Sequence, residues 1–128
     1  MPIRSRWRFL AGNHVVVDIG SGHFAVYAHL QLHSLRVKPG DHIRRGDVLG
    51  LLGNTGNTSN SHLHFDITDR PSALVSNCLP FVIANFTSQG VVTALDPVFE
   101  GTPAVIDPMM AGPHRNSLPL NNRVLTFE

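Results

Sequence analysis

Apolar and polar residues alternate along the first part of the chain with the period of two that is typical of β-strands. The pattern predicts a strand from Val15 to Ile19, a turn at Gly20-Ser21-Gly22 and a returning strand from His23 to Leu30, which together form a hairpin. Strict alternation places the residues of the second strand on two faces: Phe24, Val26, Ala28 and Leu30 on one, and His23, Ala25, Tyr27 and His29 on the other.

Two further segments continue the β pattern. Val48 to Leu52 is an apolar run bounded by glycines, which predicts a strand buried on both sides in the core of the sheet. A loop rich in Asn, Thr, Ser and Gly, residues 53–61, leads into a strand at residues 62–67. Alternation there directs Leu63, Phe65 and Ile67 to the core and His62, His64 and Asp66 to the opposite face. Because no sustained helical period competes, the sequence predicts an all-β fold with an antiparallel core.

The pattern weakens after Pro71. Strands are predicted at residues 79–86 and 124–127, and the prolines and glycines of residues 96–119 predict an extended excursion between them. The chain therefore divides into an N-terminal arm at residues 1–11, a β-core at 12–87 and an irregular, extended C-terminal segment at 88–128 in which a last strand can form.

Composition restricts the function classes. A chain of 128 residues is long enough for one domain with its own core, and a net charge of +1 gives no electrostatic case for nucleic acid. Arg4, Arg6 and Arg8 are interpreted as a solvated arm. The single Cys78, expected to be buried and unreactive, excludes an internal disulfide. The sequence predicts neither a membrane span nor, in this chain, a signal peptide.

The histidine content points to metal or proton chemistry, because eight histidines stand against a single lysine. His62 and His64 are two residues apart on a predicted strand, so their side chains point the same way from Cα atoms roughly 6.5 to 7 Å apart. His29 also lies on a presumed polar face. Three imidazoles could therefore converge on one ion or one substrate atom, although an isolated His-x-His is often structural.

Five blocks resemble, in order and spacing, the M23 or lysostaphin-type (LytM-like) endopeptidases. The blocks are Gly12-Asn13-His14-Val15-Val16-Val17-Asp18, Tyr27-Ala28-His29-Leu30, Val37 to Asp41 with Arg45 to Gly50, Gly53-Asn54-Thr55-Gly56, and His62-Leu63-His64-Phe65. The resemblance covers residues 11–67, and more loosely extends to 87. It implies an antiparallel core of hybrid barrel and sandwich type that holds one Zn²⁺. It also implies peptide cross-links of bacterial peptidoglycan as substrate, and a location in the periplasm or extracellular envelope.

The resemblance also implies roles for three residues. His64 is similar to a zinc ligand of the family, His62 to its catalytic histidine, and His29 to the partner that helps to activate water or to stabilise the transition state. This chemistry is consistent, since zinc with an open position polarises a carbonyl and activates water, and a neutral imidazole can accept the proton of that water.

One part of the family pattern is missing. The other two zinc ligands of the family come from an upstream His-x-x-x-Asp motif, and Met1 to Ala11 contains neither His nor Asp. His14 and Asp18 have that spacing but lie in the later strand without the central Gly, and Asp66 is interpreted as a surface or supporting residue. The expectation is a C-terminal fragment or truncated form whose zinc site is incomplete and whose own activity is weak or absent.

Two alternatives stay open. The chain could be a non-catalytic M23-like binding or scaffold module that has lost its metal site. It could also be a carrier domain, because the segment from Val37 to Gly50 resembles half of a biotinyl or lipoyl barrel, in which Lys38 would bear the cofactor. The sequence predicts neither the bond that is cleaved nor the oligomeric state.

Overall fold

The computed structural model of the chain describes residues 10–127. It contains two compact units, Met1–Pro80 and Phe81–Glu128. Almost all regular structure is antiparallel β, in agreement with the predicted fold class. The predicted arm with Arg4, Arg6 and Arg8 lies outside the described residues.

The first unit is built on a three-stranded antiparallel sheet. Its strands are β1 (Asn13–Gly20), β2 (His23–Leu30) and β3 (His64–Thr68), in the order β1-β2-β3. β1 and β2 form the predicted hairpin, whose turn residues Ser21 and Gly22 have positive φ, and the Asp18 carboxylate accepts a hydrogen bond from the Gly20 backbone N–H at 2.8 Å. The predicted hairpin and the strand after His62 are therefore both present.

A β-bulge near the end of β2 changes which side chains share a face. Val15 pairs with Tyr27, but Asn13 pairs with Leu30, so β2 contains one extra residue over this stretch. His29 lies within it and has a left-handed backbone with φ of 61°. As a result His29 shares a cleft with Val26 and Ala28, whereas Leu30 joins Tyr27 on the other side. The faces predicted for His29 and Leu30 were wrong, because an inserted residue reverses the alternation.

The segment Val48 to Leu52 is not the predicted buried strand. It makes only isolated backbone contacts near the end of β2. These include the bridge between Leu30 and Leu52 and the hydrogen bond from Gln31 N–H to Leu51 O at 2.9 Å. The side chains of Val48 and Leu52 are 59% and 58% exposed. The prediction was wrong because an apolar run bounded by glycines does not by itself show that both faces of the segment are covered by other elements.

The second unit is a sheet around one long strand. β4 (Ile83–Val92) pairs antiparallel with β5 (Ile106–Asp107), β6 (Gly112–Ser117) and β7 (Arg123–Thr126). β7 matches the last predicted strand. However, β4 begins and ends later than predicted and extends across the predicted division between residues 87 and 88. Residues 96–119, predicted as an extended excursion, contain β5, β6 and a helical turn, α1 (Asp96–Phe99).

The polar sequence of β4 explains why its extent was not predicted. Residues 87–90 are Thr, Ser, Gln and Gly, which carry no apolar alternation, yet Thr87 and Ser88 each pair with two neighbouring strands. Gly90 has a φ of 130°, and the Asp107 backbone occupies the place where a Cβ atom would lie.

No helix within residues 10–127 has the length and apolar composition needed to cross a membrane.

Candidate active site

Three histidines of the first unit converge on one point. The ring centroid of His29 lies 4.8 Å from that of His62 and 5.6 Å from that of His64. Each residue offers one ring nitrogen, and these three atoms lie within 4.8 Å of one another. The His29 ring comes from the bulge in β2, His62 from the end of the loop before β3, and His64 from the first residue of β3. The structure therefore brings together the three residues that the sequence singled out.

His29 is buried and held by the loop at residues 53–56. Its Nδ1 lies 2.8 Å from the backbone oxygen of Thr55. Because a carbonyl oxygen only accepts, Nδ1 carries the proton and Nε2 is left with a free lone pair. The Thr55 hydroxyl also donates to Leu30 O at 2.6 Å and accepts from Asn13 N–H at 3.0 Å, which ties the loop to both strands of the hairpin.

His62 is exposed, and its ring is oriented by its own loop. Its Nδ1 lies 2.7 Å from the backbone oxygen of Asn60 and 3.1 Å from the hydroxyl of Thr58, and that hydroxyl donates to the same Asn60 oxygen at 3.0 Å. The acceptor again places the ring proton on Nδ1 and leaves Nε2 unprotonated. His29 and His62 thus adopt the same tautomer, each through a backbone carbonyl.

His64 is held in the opposite tautomer. Its Nε2 lies 2.5 Å from Oδ2 of Asp66, two residues later on β3. A carboxylate accepts, so Nε2 carries the proton and Nδ1 is the nitrogen with a free lone pair. Ala28 is the partner of His64 across the β2–β3 ladder, which places the imidazole on the face that the bulge gives to His29.

Two of the three histidines, His29 and His64, line a small cleft on one face of the sheet. The cleft has a volume of about 260 Å³ and is lined by Leu10, Ala11, Val26, Ala28, His29, Asn57, His64, Asp66, Ala73 and Leu74. A larger concavity of about 800 Å³ lies on the other face, where Tyr27, Leu30, Val48, Leu52 and Leu63 contribute to its wall. The larger space is mainly apolar and none of its lining residues is a histidine, so the chemistry belongs to the smaller one.

The structure gives no support to His14 and Asp18 as substitute metal ligands. The His14 Nδ1 donates to Gly12 O at 2.9 Å, and Asp18 caps the hairpin turn. Among the described His, Cys, Asp and Glu residues, the group of three or more that could hold a metal consists of His29, His62 and His64. Asp66 is not a member of this group, but it contacts His64.

Cys78 is exposed, contrary to the expectation of a buried thiol. The negative charge of Asp66 is the largest influence on it and raises its pKa, and partial burial and a hydrogen bond to the same carboxylate add to this effect. Nucleophilic and metal-binding cysteines act as thiolates, whose formation a raised pKa opposes. The raised pKa therefore gives no support to Cys78 as a nucleophile or a metal ligand.

Sequence reasoning did not identify Thr55, Thr58 and Asn60, which orient the catalytic candidates. Two of these act through backbone oxygens, for which side-chain identity is a poor guide. A signal was nevertheless present, since Ser, Thr and Asn concentrated in a short loop commonly satisfy local backbone groups. That loop lies immediately before the His-x-His strand.

Sequence comparison identifies relatives of this chain. Residues 3–75, more than half of the chain and all three histidines, match the model of peptidase family M23. The peptidoglycan DD-endopeptidase ShyA of Vibrio cholerae is 40% identical over 60 residues, which are 47% of this chain and 14% of ShyA. The DD-carboxypeptidase/endopeptidase Mpg of Neisseria meningitidis is 35% identical over 71 residues, or 54% of this chain and 16% of Mpg.

An uncharacterized metalloprotease of Buchnera aphidicola is 31% identical over 65 residues, which are 51% of this chain and 17% of that protein. The matched segments thus span less than a fifth of the length of these relatives. No solved structure matches the chain. The family match, which contains the five sequence blocks and the histidine cluster, nevertheless shows that this chain belongs to peptidase family M23.

Proposed function

We propose that the first unit is the catalytic part of a zinc endopeptidase that cleaves peptide cross-links of bacterial peptidoglycan in the cell envelope. The observation that carries the proposal is the convergence of three imidazoles, each with one nitrogen fixed by a hydrogen bond and the other free. The names of relatives such as ShyA and Mpg support the substrate class.

The donor atoms of the cluster suit zinc, which binds imidazole nitrogen and keeps an open position in catalytic sites. His64 would hold the ion through Nδ1. When bound, zinc would polarise the scissile carbonyl and lower the pKa of the attacking water. Catalytic sites use three protein ligands, and no carboxylate of the described residues joins the cluster. We therefore expect the remaining ligands to come from a segment that carries the His-x-x-x-Asp motif of the family.

The other two histidines would handle the proton. A neutral imidazole with a free Nε2 accepts a proton from a water molecule within hydrogen-bond reach. His62 is exposed and can meet water and substrate directly, whereas His29 is buried and its ring is fixed by Thr55. In this proposal His62 is the general base, and His29 helps to orient the water and to accept charge as the bond breaks.

The openness of the site suits a polymeric substrate. The side chain of His64 is 49% exposed, and His62 is also exposed. A peptide that belongs to a large network can reach such a site, whereas a deep, closed cavity would admit only a free small molecule. The cleft beside it is lined by Leu10, Ala11 and Leu74, which offer contacts for short apolar side chains.

The direct test compares two versions of the protein: the 128-residue chain and the same chain preceded by a segment that supplies His-x-x-x-Asp. We expect the short version to bind zinc weakly and to release little product from cross-linked muropeptides. The longer version should contain one zinc ion per chain and should cleave these substrates until a chelator is added. Peptidoglycan binding by both versions, without zinc or cleavage in either, would instead favour a non-catalytic binding module.

A further inference from the structure

We infer that Asp66 is a positioning residue, which holds His64 in the tautomer whose Nδ1 is available to a metal ion. The inference rests on the proposed function, in which His64 is a ligand. It adds a residue that sequence reasoning left as a surface or supporting group, and it assigns to that residue a defined task. Asp66 does not need to contact metal or substrate to perform it.

The geometry follows from the strand. His64 and Asp66 are two residues apart on β3, so both side chains project from the same face, which Ala28 and Val26 share as their cross-strand partners. The carboxylate Oδ2 lies 2.5 Å from Nε2 of the ring. That nitrogen is engaged and protonated, so the unprotonated nitrogen of His64 is Nδ1.

The contrast with His29 and His62 makes the role specific. Those rings donate from Nδ1 to backbone carbonyls and therefore present Nε2. His64 presents the other nitrogen because its acceptor is a side chain two residues away. Hydrogen bonds to a charged acceptor are stronger than those to a neutral carbonyl, and a carboxylate on the outer nitrogen of a ligating histidine raises its basicity.

Cys78 lies near Asp66. It pairs with Thr68 across an isolated bridge, which brings the thiol to the face that carries Asp66. The Asp66 charge, followed by partial burial and a hydrogen bond from the thiol, keeps the Cys78 pKa above its ordinary value. The thiol next to Asp66 therefore stays protonated and does not compete with His64 for a metal ion.

The test is a measurement of histidine tautomers by ¹⁵N NMR on metal-free protein, at alkaline pH where imidazoles are neutral. In the unsubstituted chain His64 should carry its proton on Nε2. In Asp66→Ala both neutral tautomers of His64 should be populated, because the acceptor for the Nε2 proton is lost. The affinity of the protein for Zn²⁺ should fall about 10- to 100-fold. Asp66→Asn should restore much of the tautomer preference, since its amide oxygen accepts the same N–H.

Two controls separate positioning from general damage. Asp41→Ala removes a carboxylate that accepts from the Lys38 backbone N–H in a turn, and it should leave His64 unchanged. His29 is an internal reference, because its tautomer depends on Thr55 O and should survive in Asp66→Ala. Loss of both tautomer preferences would indicate unfolding, and the Asn variant would then decide the question, since it keeps the size and polarity of the side chain.

The outcomes separate this inference from the proposed function. If His64 keeps its tautomer and its Zn²⁺ affinity in both Asp66 variants, while His64→Ala abolishes binding, the inference is overturned and the proposed function stands. If the tautomer changes as expected but neither version of the chain binds Zn²⁺, the hydrogen-bond assignment stands and the zinc proposal fails.

Discussion

The two faces of the β1–β2–β3 sheet differ in chemistry although they share the same strands. One face has the cleft of about 260 Å³ that is lined by His29 and His64, and the other has the apolar concavity of about 800 Å³. His29 and Leu30 are adjacent in sequence but lie on different faces of the sheet. His29 shares its face with Val26 and Ala28, and Leu30 shares its face with Tyr27, whereas strict alternation predicts the reverse. The comparison shows that one inserted residue and one left-handed backbone conformation can assemble a site.

The faces are also stabilised in different ways. On the histidine face the imidazoles are fixed by hydrogen bonds to Thr55, Asn60 and Asp66. On the other face Tyr27 packs its ring edge-on against Phe65, with centroids 5.1 Å apart. Substitutions on the first face should therefore alter metal binding and rate, and substitutions on the second should alter stability.

The largest effect is expected from the histidines themselves, measured in the version that carries the upstream ligands. His62→Ala should lower kcat by about 10²- to 10⁴-fold and retain zinc, because a general base is lost but the coordination shell is kept. His64→Ala should lose zinc and all chelator-sensitive cleavage. Muropeptide hydrolysis and metal analysis on the same samples give both readouts. Zinc loss in His62→Ala would reassign His62 as a ligand.

An intermediate effect is expected at Gly12, which lies against Thr55 in the loop that holds His29. Gly12 has a φ of 61°, and a Cβ atom there would overlap Thr55. Gly12→Ala should lower the free energy of unfolding in denaturant by about 1–3 kcal/mol. It should also move Thr55 away from His29 and reduce the rate. Gly22→Ala, with a similar φ but no neighbouring atom, is the matched control and should cost less.

The smallest effect is expected on the apolar face. Tyr27→Leu removes the ring contact with Phe65 and should reduce the free energy of unfolding by about 0.5–1.5 kcal/mol. Zinc affinity and kcat should be unchanged, since the Tyr27 ring faces away from the cleft. A changed zinc affinity would contradict the separation of the two faces. Denaturant unfolding and zinc titration on the same variant test both statements.

Much of the first unit could be predicted from sequence, because its hairpin has clear alternation and a glycine turn. The convergence of His62 and His64 also follows from their spacing on one strand. His29 is different. Its convergence with His62 and His64 was expected from alternation as well as from the family resemblance, but alternation assigned its side chain to the wrong face of β2. A bulge depends on the register between two strands, and the sequence of one strand does not contain that information.

The errors elsewhere have a related origin. Val48 to Leu52 is apolar enough for a buried strand. However, its residues line an open concavity, and its backbone pairs with the rest of the sheet only through isolated bridges. β4 is polar in its middle and yet is the central strand of its sheet. In both segments the number of hydrogen-bonded neighbours determines the structure, and that number is a property of the assembled sheet.

The long connection between Leu30 and His64 has a consequence for the order of folding. The hairpin closes locally and can form within microseconds, whereas β3 can pair with β2 only after the intervening residues have been brought together, at an entropic cost that local contacts do not carry. His29 belongs to the early hairpin, while His62 and His64 arrive with the late strand. The histidine cluster is therefore absent from any intermediate that contains only the hairpin. Metal capture would follow β3 docking, and a bound ion would slow the reopening of that strand.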